Sequence, residues 1–129
     1  MDAAINVSEF KSLLSRGFGP LIVDVRRNED YAESNGVIPG AIRRDPETVA
    51  TWWRDLDLAR PIVVHCVHGH EVSQATTAVL REHGFPARYL EGGFEGWTGI
   101  GGPSRQNPDC HRIGGRVSGL KSTGSLARG

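Results

Sequence analysis

The chain has 129 residues, 38% hydrophobic and 23% charged, which suits one soluble domain with a substantial core. Fifteen Lys and Arg balance fifteen Asp and Glu, so charge gives no case for binding nucleic acid or an acidic membrane. No apolar run nears a membrane span, and MDAAINVSEF lacks the apolar stretch of a signal peptide; the expected compartment is the cytoplasm, with both cysteines reduced.

Ser8 is placed to cap a first helix over residues 9–16, with Phe10, Leu13 and Leu14 inward and Gly17 as its stop. Pro20 precedes an apolar run, Leu21-Ile22-Val23-Asp24-Val25, that reads as a buried strand. An interior Asp24 is costly unless paired or hydrogen-bonded. Arg26, one position beyond, is a candidate partner for a group at that end, and both residues read as structural support near the site. Asn28 can cap a short helix over 29–34, closed by Gly36. Residues 37–41 form a turn into an extended piece at 41–43. Asp45-Pro46-Glu47 is a helix start, with an acidic cap and proline in the first turn. Val49, Trp52, Trp53 and Leu56 mark the apolar face of that helix, and helical spacing assigns the tryptophans to the core rather than to a binding platform.

Residues 60–84 organise the rest. Ile62, Val63 and Val64 form a β-branched run after Pro61, suited to a fully buried strand. Cys66 stands where the run ends, and Gly69 allows a sharp turn. Val72, Ala75, Val79 and Leu80 then recur at helical spacing with Thr76 on the same face, Gln74, Arg81 and Glu82 lie opposite, and Gly84 stops the helix. A helix N-terminus offers unpaired N–H groups and the positive end of its dipole, and a loop feeding it makes an anion cradle. A cysteine at the head of such a loop is favoured as a nucleophilic thiolate; the competing reading is a buried cysteine acting as a small hydrophobe. His65, within the strand just before Cys66, reads as a core histidine rather than a base.

Residues 87–90 form another short strand, and Glu91-Gly92-Gly93-Phe94-Glu95-Gly96-Trp97 turns into a short helix, with Phe94 and Trp97 in packing roles. Strands alternating with helices predict an open α/β layer with a parallel sheet. Loops that carry chemistry lie beyond the carboxyl ends of its strands, where Cys66 falls. From Gly99 the pattern dissolves. Residues 99–129, rich in Gly, Ser and Arg, hold five basic residues and one acid, or +4 against −4 for 1–98. They read as a flexible tail after a domain at 1–98, with Ile113, Val117 and Leu120 at most weakly packed.

Four stretches stand in register: Leu21-Ile22-Val23-Asp24-Val25-Arg26, Ile38-Pro39-Gly40-Ala41, the cysteine loop with its strand and helix, and Tyr89-Leu90-Glu91-Gly92-Gly93-Phe94-Glu95-Gly96-Trp97. Over about residues 5–98 the sequence resembles a single-domain rhodanese of the thiosulfate sulfurtransferase-like family. That resemblance implies a mostly parallel sheet of about five strands with helices on both faces. It also implies a cysteine that takes sulfane sulfur from a donor such as thiosulfate, becomes a persulfide, and passes the sulfur to a thiol, cyanide or an acceptor protein, with no cofactor. By position Cys66 matches the sulfur carrier, and Val67, His68, Gly69, His70, Glu71 and Val72 match the substrate-binding loop. The family usually carries a cation in this loop, often where Glu71 stands. A carboxylate there repels thiosulfate and disfavours a nearby thiolate, while protonated His68 and His70 would offset it.

Other readings use the same residues. A phosphatase-like relative needs a longer loop closed by an arginine that grips phosphate, and this loop has none. A rhodanese-like module could dock a partner without turnover. Cys66, His68, His70, Cys110 and His111 offer soft and imidazole metal ligands, but their spacing fits no standard zinc motif, so no metal is expected. Cys110 reads as incidental, or as a resolving thiol on a flexible arm.

Overall fold

The computed structural model describes residues 3–16, 19–68 and 70–110. Five parallel strands form one sheet: β1 (Ala4–Ile5), β2 (Leu21–Asp24), β4 (Ile42–Arg43), β5 (Ile62–His65) and β6 (Ala87–Leu90), in the order β1-β6-β5-β2-β4. β3 (Gly36–Val37) pairs antiparallel with β7 (Arg105–Gln106) in a separate ribbon. The helices are α1 (Val7–Ser15), α2 (Asn28–Glu33), α3 (Val49–Trp52), α4 (Glu71–Glu82) and α5 (Gly93–Gly99).

Strand alternation divides the core in two. Val23, Val25, Ile62 and Val64 point to one face, where Trp52, Leu56 and Leu80 from the α3 and α4 side cover them. Ile22 and Val63 point to the other, where Phe10 of α1 and Trp97 of α5 cover them. The expected α/β sheet of five strands with helices on both faces is thus present, and all of its pairings are parallel.

Several local readings are corrected. Asn6, not Ser8, caps α1, its side chain accepting from the Glu9 N–H at 2.7 Å. The chain leaves β1 at Ile5, so the turn into the helix must fall one residue later. Asn28 is inside α2 and does not cap it; its side-chain oxygen accepts from Arg43 at 2.8 Å. Gly36 lies in β3 and does not close that helix. The Asp45 cap is present, accepting from the Glu47 N–H at 2.9 Å, but it starts a 3-10 turn over Pro46–Thr48 that runs into α3 and a second 3-10 turn at Trp53–Asp55. Trp52 is buried, and its indole donates to the Asp45 carbonyl at 2.7 Å. Trp53 is half-buried and stacks on His83 at 3.8 Å.

Residues 99–110, expected to open the tail, are laid on the body instead. β7 pairs with β3, and the buried Asn107 amide donates to the carbonyls of Tyr31 and Ser34 at 2.9 and 2.8 Å. The Trp97 indole donates to the Pro103 carbonyl at 2.8 Å, Tyr31 donates to Asp109 at 2.7 Å, and Cys110 is buried. The readings placed on Gly17, Gly69, His111, Ile113, Val117 and Leu120 lie outside the described residues.

Candidate active site

The chain runs outward from β2 to β4 on one side of the sheet and returns to β5 on the other, so the strand order reverses between β2 and β5. A crevice opens beyond the carboxyl ends of strands at such a point. Asp24 pairs in register with His65, which brings the segments that follow, Arg26-Arg27 and Cys66-Val67, to one edge. Between them lies a cleft of about 170 Å³. Cys66 lies at its base with 6% of its surface exposed, and Val67, His68, His70, Glu71 and Val72 line it with Arg26. The described loop residues and Arg26 therefore line one cleft, and Gly69 lies outside the described residues. Asp24 is buried behind Arg26 and does not line the cleft.

Ser73 is the partner of the sulfur. The Cys66 thiol donates to Ser73 Oγ at 3.2 Å, and the Ser73 hydroxyl donates to the His70 carbonyl at 3.3 Å. Sequence pattern does not reveal it, because the inward face of α4 differs from the expected one. Ser73, Thr76, Thr77 and Leu80 are buried, at helical spacing, whereas Val72 and Val79 are half-buried and Ala75 is exposed. The signal was there in the i, i+3, i+4, i+7 run of small hydroxyls ending in leucine, but hydroxyls do not register as apolar.

α5 braces the loop from below. Its first-turn N–H groups, otherwise orphaned at a helix start, donate from Phe94 to the Cys66 carbonyl at 2.8 Å and from Glu95 to the Val67 carbonyl at 3.1 Å. Gly92 makes the entry possible: its φ is +83°, and an added Cβ would stand 3.3 Å from Gly96 Cα. Glu95 also receives His68, whose Nδ1 lies 3.3 Å from the carboxylate with both side chains well exposed. That contact gives the expected offset of Glu71 by His68 a competitor. His70 precedes α4 with an exposed side chain that makes no capping bond.

Behind the cleft, Arg26 grips Asp24. Its Nη2 donates to Oδ2 at 2.8 Å and its Nε to Oδ1 at 3.1 Å, with each residue 1% exposed. Arg26 also donates to the Gly36 carbonyl at 3.1 Å and stacks over Phe94 at 4.4 Å. Burial alone would push the Asp24 carboxyl up; the Arg26 charge and hydrogen bonds outweigh it and hold the group below its usual range. Arg43 fixes the same turn, donating to the Arg26 carbonyl at 2.6 Å.

His65 is fully buried and stacks on Phe94 at 6.2 Å. Burial holds its ring neutral, the Arg26 charge adds to that, and the Asp24 charge opposes it without prevailing. Both ring nitrogens lack a hydrogen-bond partner among the described residues. His65 is a core residue, as its sequence context suggests.

A family model described as the rhodanese-like domain matches residues 6–100. The chain belongs to the rhodanese-like family. It is 40% identical over 98 residues to the thiosulfate sulfurtransferase GlpE of Pseudomonas entomophila, covering 70% of this chain and 87% of that protein. The crystal structure of a rhodanese-like domain protein from Staphylococcus aureus aligns with TM-score 0.67 at 28% identity, over 75% of this rhodanese-like chain and 91% of that one. A rhodanese-related protein from Thermoplasma volcanium shares the fold, with TM-score 0.69 at 24% identity over 79% and 96% of the two chains.

Among the described residues, no three or more His, Cys, Asp or Glu side chains gather closely enough to hold a metal ion. No described helix is long and apolar enough to cross a membrane.

Proposed function

We propose that this rhodanese-like chain is a sulfurtransferase that uses thiosulfate or a related donor, with Cys66 as the sulfur carrier. The observation that carries the reading is the placement of Cys66: at the floor of the crevice between β5 and β2, with the Ser73 hydroxyl 3.2 Å from its sulfur. The relatives named thiosulfate sulfurtransferase support it.

In the first step the Cys66 thiolate attacks the outer sulfur of thiosulfate. The new S–S bond forms as the donor's own S–S bond breaks, and sulfite leaves with the electron pair. In the second step an acceptor nucleophile attacks the outer sulfur of the persulfide, and Cys66 departs as thiolate. Either anionic state of Cys66 can receive the Ser73 proton if the hydroxyl turns from the His70 carbonyl to sulfur, a charge-assisted hydrogen bond. Backbone N–H groups of the loop and of the α4 start would cradle the donor's anionic end. Arg26 is committed to Asp24, so it positions the turn and is not the donor's main counter-charge. A carrier thiol that must stay reduced between turnovers suits the cytoplasm.

Mass spectrometry after exposure to thiosulfate is the deciding measurement. The expected result is one added sulfur on Cys66, discharged by cyanide, absent in Cys66→Ser and retained in Cys110→Ser. An unmodified thiol would leave a docking module without turnover.

A further inference from the structure

Ser73 and Thr77 of α4 join the expected Thr76 and Leu80 in the core, and Val72, Ala75 and Val79 line, with Thr76, a second cleft of about 320 Å³ toward Val49 and Pro46 of the α3 region. This cleft and the Cys66 cleft share Arg27, Glu71 and Val72, so the two adjoin at the loop's end. Their sizes differ in meaning. The Cys66 cleft, at about 170 Å³, is too small for an organic ligand with a body of its own, whereas 320 Å³ enters the range of organic-ligand sites, roughly 300–1,000 Å³. Thiosulfate and cyanide, small and fully polar, have no use for the aliphatic wall. The ionic groups of the second cleft are Glu47 and Glu71 against Arg27, an excess of negative charge.

Resting on the sulfurtransferase reading, we propose that the acceptor is a cationic organic thiol, with its ammonium at Glu71 and its apolar arm in the α3–α4 cleft. The thiolate of this aminothiol attacks the outer sulfur of the Cys66 persulfide. Its new S–S bond forms as the Cys66 S–S bond breaks, the product leaves as an organic persulfide, and Cys66 returns as thiolate. The ammonium stays protonated throughout and serves only to orient. The same carboxylate that repels an anionic donor thus selects the second substrate.

The test separates loading from discharge. Cys66 is loaded with thiosulfate, donor is removed, and discharge is timed with cysteamine, mercaptoethanol, mercaptopropionate and N-butylcysteamine, each rate corrected for its thiolate fraction. Cysteamine should outrun mercaptopropionate by about fivefold, the scale of an exposed ion pair, and Glu71→Gln should remove that margin. The butyl arm should add about tenfold, the scale of one or two buried methylenes, and Ala75→Trp, which fills the cleft, should cancel this gain, so that N-butylcysteamine and cysteamine discharge at equal rates in that variant. Equal rates across the charge series, a preference for mercaptopropionate, or no gain from the butyl arm would overturn the proposal while the sulfurtransferase reading stands. Failure of Cys66 to load overturns both.

Discussion

The Ser73 hydroxyl has one proton and two acceptors in reach, the Cys66 sulfur at 3.2 Å and the His70 carbonyl at 3.3 Å. Ser73→Ala removes the donor that the anionic sulfur would use, and the net value of a hydrogen bond to a charged group, about 1.5 kcal/mol, predicts about tenfold slower loading from thiosulfate at neutral pH. Stopped-flow sulfite release reads the deficit, and Ser73→Thr, which keeps the hydroxyl, should recover most of the rate; a Thr variant as slow as the Ala variant would assign Ser73 to packing alone. Glu71→Arg acts on the donor instead. Exchanging an exposed carboxylate for a guanidinium at the cleft's edge should speed loading about fivefold at low salt, with the gain shrinking as salt rises. An unchanged rate would remove the electrostatic account of Glu71. Both residues lie in the same loop and helix, yet only Glu71 was legible. Cys66, Gly69 and Glu71 announce themselves by following a β-branched run, whereas Ser73 is polar by composition and interior by position. Asp24 was legible as a carboxylate inside an apolar strand that demands a partner, and Arg26 as a candidate partner for some group at that end; their pairing with each other is seen only in the fold.

Among the elements, the longer strands and helices could be read from their own residues, and of the two-residue strands only β4 could, as the extended piece at 41–43. β1 and β7 are too short to show alternation; β1 exists because Ala4 and Ile5 find Tyr89 and Leu90 beside them. The segment after α5 carries little apolar signal, since a polar amide, Asn107, anchors it through hydrogen bonds. It is tightly laid on the body at Gly102, whose N–H donates to the Trp97 carbonyl at 3.0 Å and whose added Cβ would collide with the Trp97 ring. Trp97 cannot yield easily, being 1% exposed and packed on Phe10 at 5.1 Å. Gly102→Ala should therefore destabilise by about 1–3 kcal/mol in urea unfolding and expose residues 101–110 to protease. A change under about 0.5 kcal/mol would mean that the segment lifts off at no cost.

Across the whole molecule, two buried groups with lowered pKa values set how stability responds to acid. For such a group, stability is fully present above the unfolded value and is lost as pH falls toward the folded one. His65 comes first, with an unfolded value of about 6.5, and Asp24 follows below about 3.9. Denaturant midpoints should therefore fall between pH 7 and 5, with a slope of at most about 1.4 kcal/mol per pH unit from His65. His65→Phe, which keeps a ring against Phe94, should flatten that window and leave the fall below pH 4 in place. A wild-type profile flat to pH 5 would place the His65 proton elsewhere. The Arg26–Asp24 pair has a different legacy. Removing either partner strands the other away from water, at about 3–5 kcal/mol, so this pair resists drift. Arg27, His70 and Glu71 stand exposed in front of it and can be exchanged at little cost to stability. Descendants of this protein can thus trade one sulfur donor for another through skin-deep changes, while the scaffold that aims the sulfur is inherited intact.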